Sequence, residues 1–200
     1  MDASNIRNRE QPETLLAMYE IEITDRQSQL SLPVDDIRTC AEKLLAEERV
    51  ASACISLVFV SDREIHQLNR DFLQHDYPTD VISFLLDERP ADLQGANPNS
   101  PKGYGKHLDG EVVISTETAL RSAREYRWSA EQETILYMVH GLLHLVGYDD
   151  LSGDERADMR RRELEILSLF GMEPPRSPMD DPPEDTSVHS SPPDREASDS

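Results

Sequence analysis

The segment from His140 to Asp150 reads His-Gly-Leu-Leu-His-Leu-Val-Gly-Tyr-Asp-Asp. His140 and His144 are four residues apart, and on a helix such residues share a face with Cβ atoms about 5–6 Å apart. That separation lets two imidazoles reach one ion. Val139, Leu142, Leu143, Leu145 and Val146 flank them, so the helix is expected to be largely buried. Buried imidazoles need partners. Gly147 is free to adopt a left-handed conformation, end the helix and reverse the chain. Asp150, three residues on, then swings back toward the histidines with an anionic oxygen. Two histidines and one carboxylate leave positions open for water, as catalytic zinc sites do. The carboxylate oxygen also admits Mn²⁺ or Fe²⁺. Asp149 reads either as a solvated turn residue or as a group that orients a ligand from behind.

The spacing His-x-x-x-His-x-x-Gly-x-x-Asp is shared with metzincin peptidases, whose first histidine is followed by a glutamate general base. Here that position is Gly141, which has no side chain. The metal geometry survives the comparison; the peptide-cleaving chemistry does not.

Around this segment the chain alternates strands and helices. Tyr19 to Thr24 alternates like an edge strand. Ile37, Cys40, Ala41, Leu44 and Leu45 fall at helical spacing, with Asp35 as candidate cap. Ala53 to Val60 is a β-branched apolar run expected to be a buried strand. Ser61-x-x-Glu64 is a capping box opening a short helix. Val81 to Leu86 and Glu111 to Ser115 read as strands, with a long connection from Asp87 to Asp109 rich in Pro, Gly and Asn. Helices follow over Thr116 to Tyr126, from the Ser129 cap to about Val146, and from the Ser152-x-x-Glu155 cap to Gly171. The sum is an α+β fold: a small mixed β-sheet with packed helices, the metal site on a buried helix and the turn after it.

The chain has 200 residues, with 40 acidic and 20 basic side chains and a net charge of −20. Residues 173–200 hold 7 of the 13 prolines and 8 acidic residues against 2 basic ones. Such a segment cannot bury enough apolar surface to offset its ordering entropy, so it reads as a disordered acidic tail. Residues 1–17, polar and aperiodic, read as loose. The folded domain is therefore expected over 18–172, and residues 1–172 still carry 32 acidic against 18 basic side chains. Bulk charge of that sign disfavours a generally basic nucleic-acid binder. No apolar run reaches the 18 residues that suggest a membrane span, and no export signal is evident. Two cysteines make no disulfide scaffold, so a reducing cytoplasm is the expected compartment. Only local basic clusters could face phosphate: Arg121, Arg124 and Arg127, and the run Arg160-Arg161-Arg162. Either reads equally well as an ordinary solvated helix face.

Over about residues 20–172 the chain resembles the YbeY family of bacterial metal-dependent endoribonucleases, which act in ribosomal RNA processing and ribosome quality control. The resemblance is carried by His140 to Asp150, by Leu68-Asn69, by Pro78-Thr79-Asp80-Val81-Ile82-Ser83-Phe84, by Gly110 to Ser115, and by Met159 with Glu163. It implies one zinc per chain held by His140, His144 and the residue at 150, which is histidine in the family and Asp150 here. It implies a substrate of single-stranded small-subunit (16S) ribosomal RNA near its 3′ end, ribosomal partners and no membrane. The family carries an arginine at the position of Leu73; Arg70, one helical turn earlier, is the candidate substitute. The favoured chemistry is metal-assisted phosphodiester hydrolysis, with attack by the RNA 2′-hydroxyl as a variant. A ribosome-assembly factor with a structural metal is the alternative, and a metallopeptidase is third. Oligomeric state is left open.

Overall fold

A computed structural model describes residues 18–90, 97 and 100–175. The N-terminal stretch 1–17 and most of the acidic tail lie outside the described residues. Four strands and five helices follow in the order β1 (Met18–Asp25), α1 (Val34–Glu47), β2 (Ser52–Val60), α2 (Asp62–Leu73), β3 (Val81–Pro90), β4 (Lys106–Ser115), α3 (Thr116–Tyr126), α4 (Ala130–Val146) and α5 (Gly153–Ser168). The sheet order is β1-β2-β4-β3. β1, β2 and β4 run parallel, and β3 is antiparallel to β4. It is a mixed sheet, and the fold is α+β.

The strands sort their side chains by alternation. Ile55, Leu57 and Phe59 of β2, with Leu108, Val112 and Ile114 of β4, join the large core shared with α1, α4 and α5. Val58, Val60, Ile82 and Val113 point the other way, into a smaller cluster closed by Ile65 of α2. α4 lies against the sheet along most of its length, because Ile135, Met138, Val139, Leu142, Leu143 and Val146 are all fully buried or nearly so.

Two glycines set how closely α4 approaches. A Cβ on Gly141 would stand 2.5 Å from Val112 Cγ1, 2.9 Å from Val81 Cγ2 and 3.0 Å from Ser83 Oγ. A Cβ on Gly110 would stand 2.9 Å from Leu145 Cδ1. Ser83 Oγ donates to the Gly141 carbonyl at 2.9 Å, pinning the helix to β3 beside His140.

The structure departs from the sequence reading in two places. The span Asp87 to Asp109 is not one long connection: β3 continues to Pro90, and β4 begins at Lys106. Residues 85–90 are exposed, so no apolar alternation marks them. Cross-strand pairs hold the extension instead, including Lys106 Nζ with Glu88 Oε2 at 3.2 Å, and a bulge between Leu85 and Asp87 absorbs the extra residue. At the start of α1, Pro33 holds the cap position without a side-chain bond, and Asp35 sits in the first turn. There its charge faces the helix dipole. The capping boxes at Ser61/Glu64 and Ser152/Glu155 form as expected.

The approach at Gly141 is open to test. Gly141→Ala gains up to about 1 kcal/mol of helix propensity. It also forces a methyl into Val112, which is fully buried and cannot retreat. Overpacking of this kind costs about 1–3 kcal/mol, so the variant should melt several degrees below the parent. An unchanged or raised melting temperature would show that the helix–sheet seam has slack.

Candidate metal centre

His140 and His144 lie in the last two turns of α4. Gly147 closes the helix at φ +110°. Its N–H donates to the carbonyls of Leu143 and His144, and the Tyr148 N–H reaches back to Leu143 at 3.0 Å. This is the glycine-dependent helix stop that the sequence suggests. Lys106 Nζ donates to the Val146 carbonyl at 3.0 Å, satisfying another terminal acceptor. The chain then turns and delivers Asp150 to the histidines.

The two Nε2 atoms face each other at 3.0 Å, and Asp150 Oδ2 lies 3.7 Å from His140 Nε2. All three donor atoms lie within 4.8 Å of one another. Nitrogens bound at 2.0–2.1 Å in a tetrahedral zinc site stand roughly 3.3 Å apart, so the pair is close to coordination geometry. The other ring nitrogen of each histidine is occupied. His140 Nδ1 donates to Glu163 Oε1 at 2.7 Å, and His144 Nδ1 to the Tyr148 carbonyl at 3.1 Å. Those two bonds place the Nδ1 hydrogens on the outer side of each ring and turn both Nε2 atoms to one point. At 3.0 Å the two Nε2 atoms need a proton or a metal ion between them.

Glu163 is the residue that sequence reasoning matched without assigning a task. It lies on α5 with only 7% of its side chain exposed, and its second oxygen accepts from Arg160 at 3.1 Å. Burial disfavours the charged form of His140, but the hydrogen bond and charge of Glu163 outweigh it and raise its pKa. His144 moves the other way: burial and the neighbouring His140 lower its pKa.

The turn after α4 is anchored from behind. Glu48, fully buried at the end of α1, accepts from Arg162 Nε at 2.6 Å and from the Tyr148 hydroxyl at 3.3 Å. Burial, followed by the charge of Glu48, pushes the Tyr148 phenol up to about 12, so it remains a donor. Lys102 Nζ stands 4.3 Å from the centre of the Tyr148 ring. The backbone that carries the His144 partner and leads to Asp150 is thus fixed by α1, α5 and the loop before β4.

Asp150 does not cap α5; Ser152 does, with its Oγ accepting from the Glu155 N–H at 3.2 Å. Asp149 Oδ1 accepts from the Asp150 N–H at 2.8 Å and so shapes the turn. Arg70 sits on α2, more than half exposed, and pairs with the adjacent Asp71 at 3.6 Å. The Arg160–Arg162 run is engaged internally: with Glu163, with Asp158 and Glu165, and with Glu48 and Glu165. Arg121 pairs with Asp62.

The family model described as "Endoribonuclease YbeY" matches residues 22–171. This chain belongs to the YbeY endoribonuclease family. It is 39% identical over 153 residues to the Endoribonuclease YbeY of Syntrophotalea carbinolica, covering 76% of this chain and 95% of that one. Identity to the Rhodopirellula baltica Endoribonuclease YbeY is 37% over 178 residues, 84% of each chain. The Alkaliphilus metalliredigens relative is 46% identical over 118 residues, 59% of this chain and 71% of its own. Among the described residues, no helix is long and apolar enough to cross a membrane.

If Glu163 holds the His140 ring, Glu163→Gln should weaken zinc binding by about 10–100-fold, the usual cost of losing a ligand's outer partner. A competition titration against a chromogenic chelator reads this directly. Equal affinity in both proteins would mean that the ring is held by its packing alone.

Proposed function

We propose that this chain is a single-strand-specific, metal-dependent endoribonuclease that acts in the 3′ maturation of small-subunit ribosomal RNA and in ribosome quality control. The observation that carries the reading is the facing pair of Nε2 atoms, with Asp150 beside them at a half-exposed position that leaves room for substrate. His140, His144 and Asp150 would hold one zinc ion. Bound there, zinc supplies a Lewis acid that acidifies water and draws charge from a phosphoryl oxygen. The protein's own part is to fix the ligands. Glu163 and the Tyr148 carbonyl hold the rings, and Glu48 holds Tyr148. The family membership supports ribonuclease chemistry at such a site, and the relatives carry that name.

Gly141 argues against the peptidase reading on steric grounds. The position where a metzincin places its general base points into Val112, Val81 and Ser83, not toward the histidines. A glutamate there would have to enter the sheet.

The purified, metal-loaded chain should cleave single-stranded RNA, leave casein intact, and lose activity on chelation. The His140→Ala/His144→Ala double variant controls for contaminating nuclease. Equal metal content in that variant and the parent would reject the site, and a folded, metal-loaded parent chain without RNA cleavage would favour an assembly factor with a structural metal. Asp150→His replaces a carboxylate by a neutral ligand and raises the net positive charge at the ion. The rising limb of the activity–pH profile, where bound water would lose its proton, should therefore move to lower pH. An unmoved limb would remove Asp150 from the ligand set.

A further inference from the structure

One turn before the histidines, α4 borders a second cavity, of about 460 Å³, which is within the usual range for small-molecule sites. Thr79 and Asp80 line it from the turn before β3, Ser122 and Tyr126 from α3, and Glu133 and Tyr137 from α4. The cavity adjoins the metal centre through three links. Tyr137 precedes His140 by three residues, so the two share a helix face. Asp80 adds its charge to the field at His140. Arg160 lines the cavity while its guanidinium holds Glu163, the partner of His140.

The chemistry of this cavity is unlike that of a phosphate site. Its two arginines are paired with acids, Arg121 with Asp62 and Arg160 with Glu163. Its own carboxyl groups, Asp80 and Glu133, would repel an anion. Asp80 Oδ1 is taken up by the Val81 N–H at 2.9 Å and the Thr79 hydroxyl at 3.0 Å. Glu133 is different. It is only 5% exposed, and it shares a side-chain hydrogen bond with Tyr137, whose hydroxyl also lies 2.9 Å from Ser122 Oγ, so its remaining acceptor positions are the ones open to a ligand. Burial, then the charge of Asp80, raises the Glu133 carboxyl above its ordinary value, although Tyr137 and Arg160 oppose this. A buried acid costs free energy unless something donates to it. Two tyrosine rings supply the flat apolar walls on which a base can lie.

We propose that this cavity is a nucleobase subsite next to the metal centre, in which Glu133 accepts a hydrogen bond from the exocyclic amino group of cytosine, adenine or guanine while the backbone phosphate stays at the histidines. Carboxylates read such amino groups in other nucleic-acid complexes. Uracil, which presents a carbonyl where cytosine has its amino group, would add no such donor and would set its oxygen against the carboxylate. The proposal rests on the endoribonuclease reading for its biological sense, but base binding can be measured without cleavage.

The test titrates CMP, AMP, GMP and UMP into the zinc-loaded full chain, followed by amide NMR. The three amino-bearing nucleotides should shift the amides of Ser122, Tyr126 and Glu133 and bind about fivefold or more tightly than UMP, the weight of one hydrogen bond. Glu133→Leu, which removes the acceptor but keeps the bulk, should bring all four to the level of UMP with zinc content intact. Should that variant fail to fold, the ranking of the four nucleotides on the parent chain decides alone. Equal affinities, or shifts confined to residues around His140 and His144, would overturn the subsite. Base-selective binding by a chain that cleaves no RNA would reject the enzymatic reading and keep the cavity. RNA cleavage with no response at the cavity would do the reverse.

Discussion

Two imidazole nitrogens face one another across 3.0 Å. Much of the structure holds them there. The tautomers are set from behind by Glu163 and the Tyr148 carbonyl. Glu163 is steadied by Arg160, and Tyr148 by Glu48, which Arg162 pairs in turn. α5 thus contributes three consecutive functions along one face: it fills the core with Met159 and Ile166, orients His140 through Glu163, and anchors the turn through Arg162. A helix that lacks any metal ligand decides how well the ligands are placed.

The same constraint explains the glycines. α4 must carry imidazoles on one face and lie against the sheet with the other, so the residue after His140 has no room for a side chain. The helix must then stop and reverse within one turn, which the positive φ of Gly147 permits. Buried ion pairs such as Glu48–Arg162 add little net stability, because desolvation offsets their attraction. Their value here is positional: leaving Glu48 without its cation would cost several kcal/mol, and the Tyr148 turn would relax with it.

Much of this was legible in the amino-acid order. The His140/His144 spacing, the Gly147 stop and the Ser61/Glu64 and Ser152/Glu155 boxes are local signals, each completed within a few residues, and each formed. The parts that were not legible depend on long-range contacts. Glu163 meets His140 across 23 positions, and Glu48 meets Arg162 across 114. A glutamate in an amphipathic helix looks like a solvated one until the partner helix is placed. The run Arg160-Arg161-Arg162 is a case of the same kind: read locally it offers phosphate contacts, whereas packing spends all three on carboxylates. The extension of β3 is not legible in the sequence because its residues 85–90 are exposed and show no apolar alternation.

The account stands or falls on the tautomers. Long-range ¹⁵N–¹H NMR of the histidine rings, recorded through a zinc titration at neutral pH, distinguishes protonated, Nδ1–H and Nε2–H imidazoles. The proposed site predicts that one equivalent of zinc converts both His140 and His144 to Nδ1–H rings with metal-shifted Nε2 resonances, while the remaining histidines stay unchanged. An Nε2–H tautomer at either position after saturation, or spectra that do not respond to zinc, would contradict it.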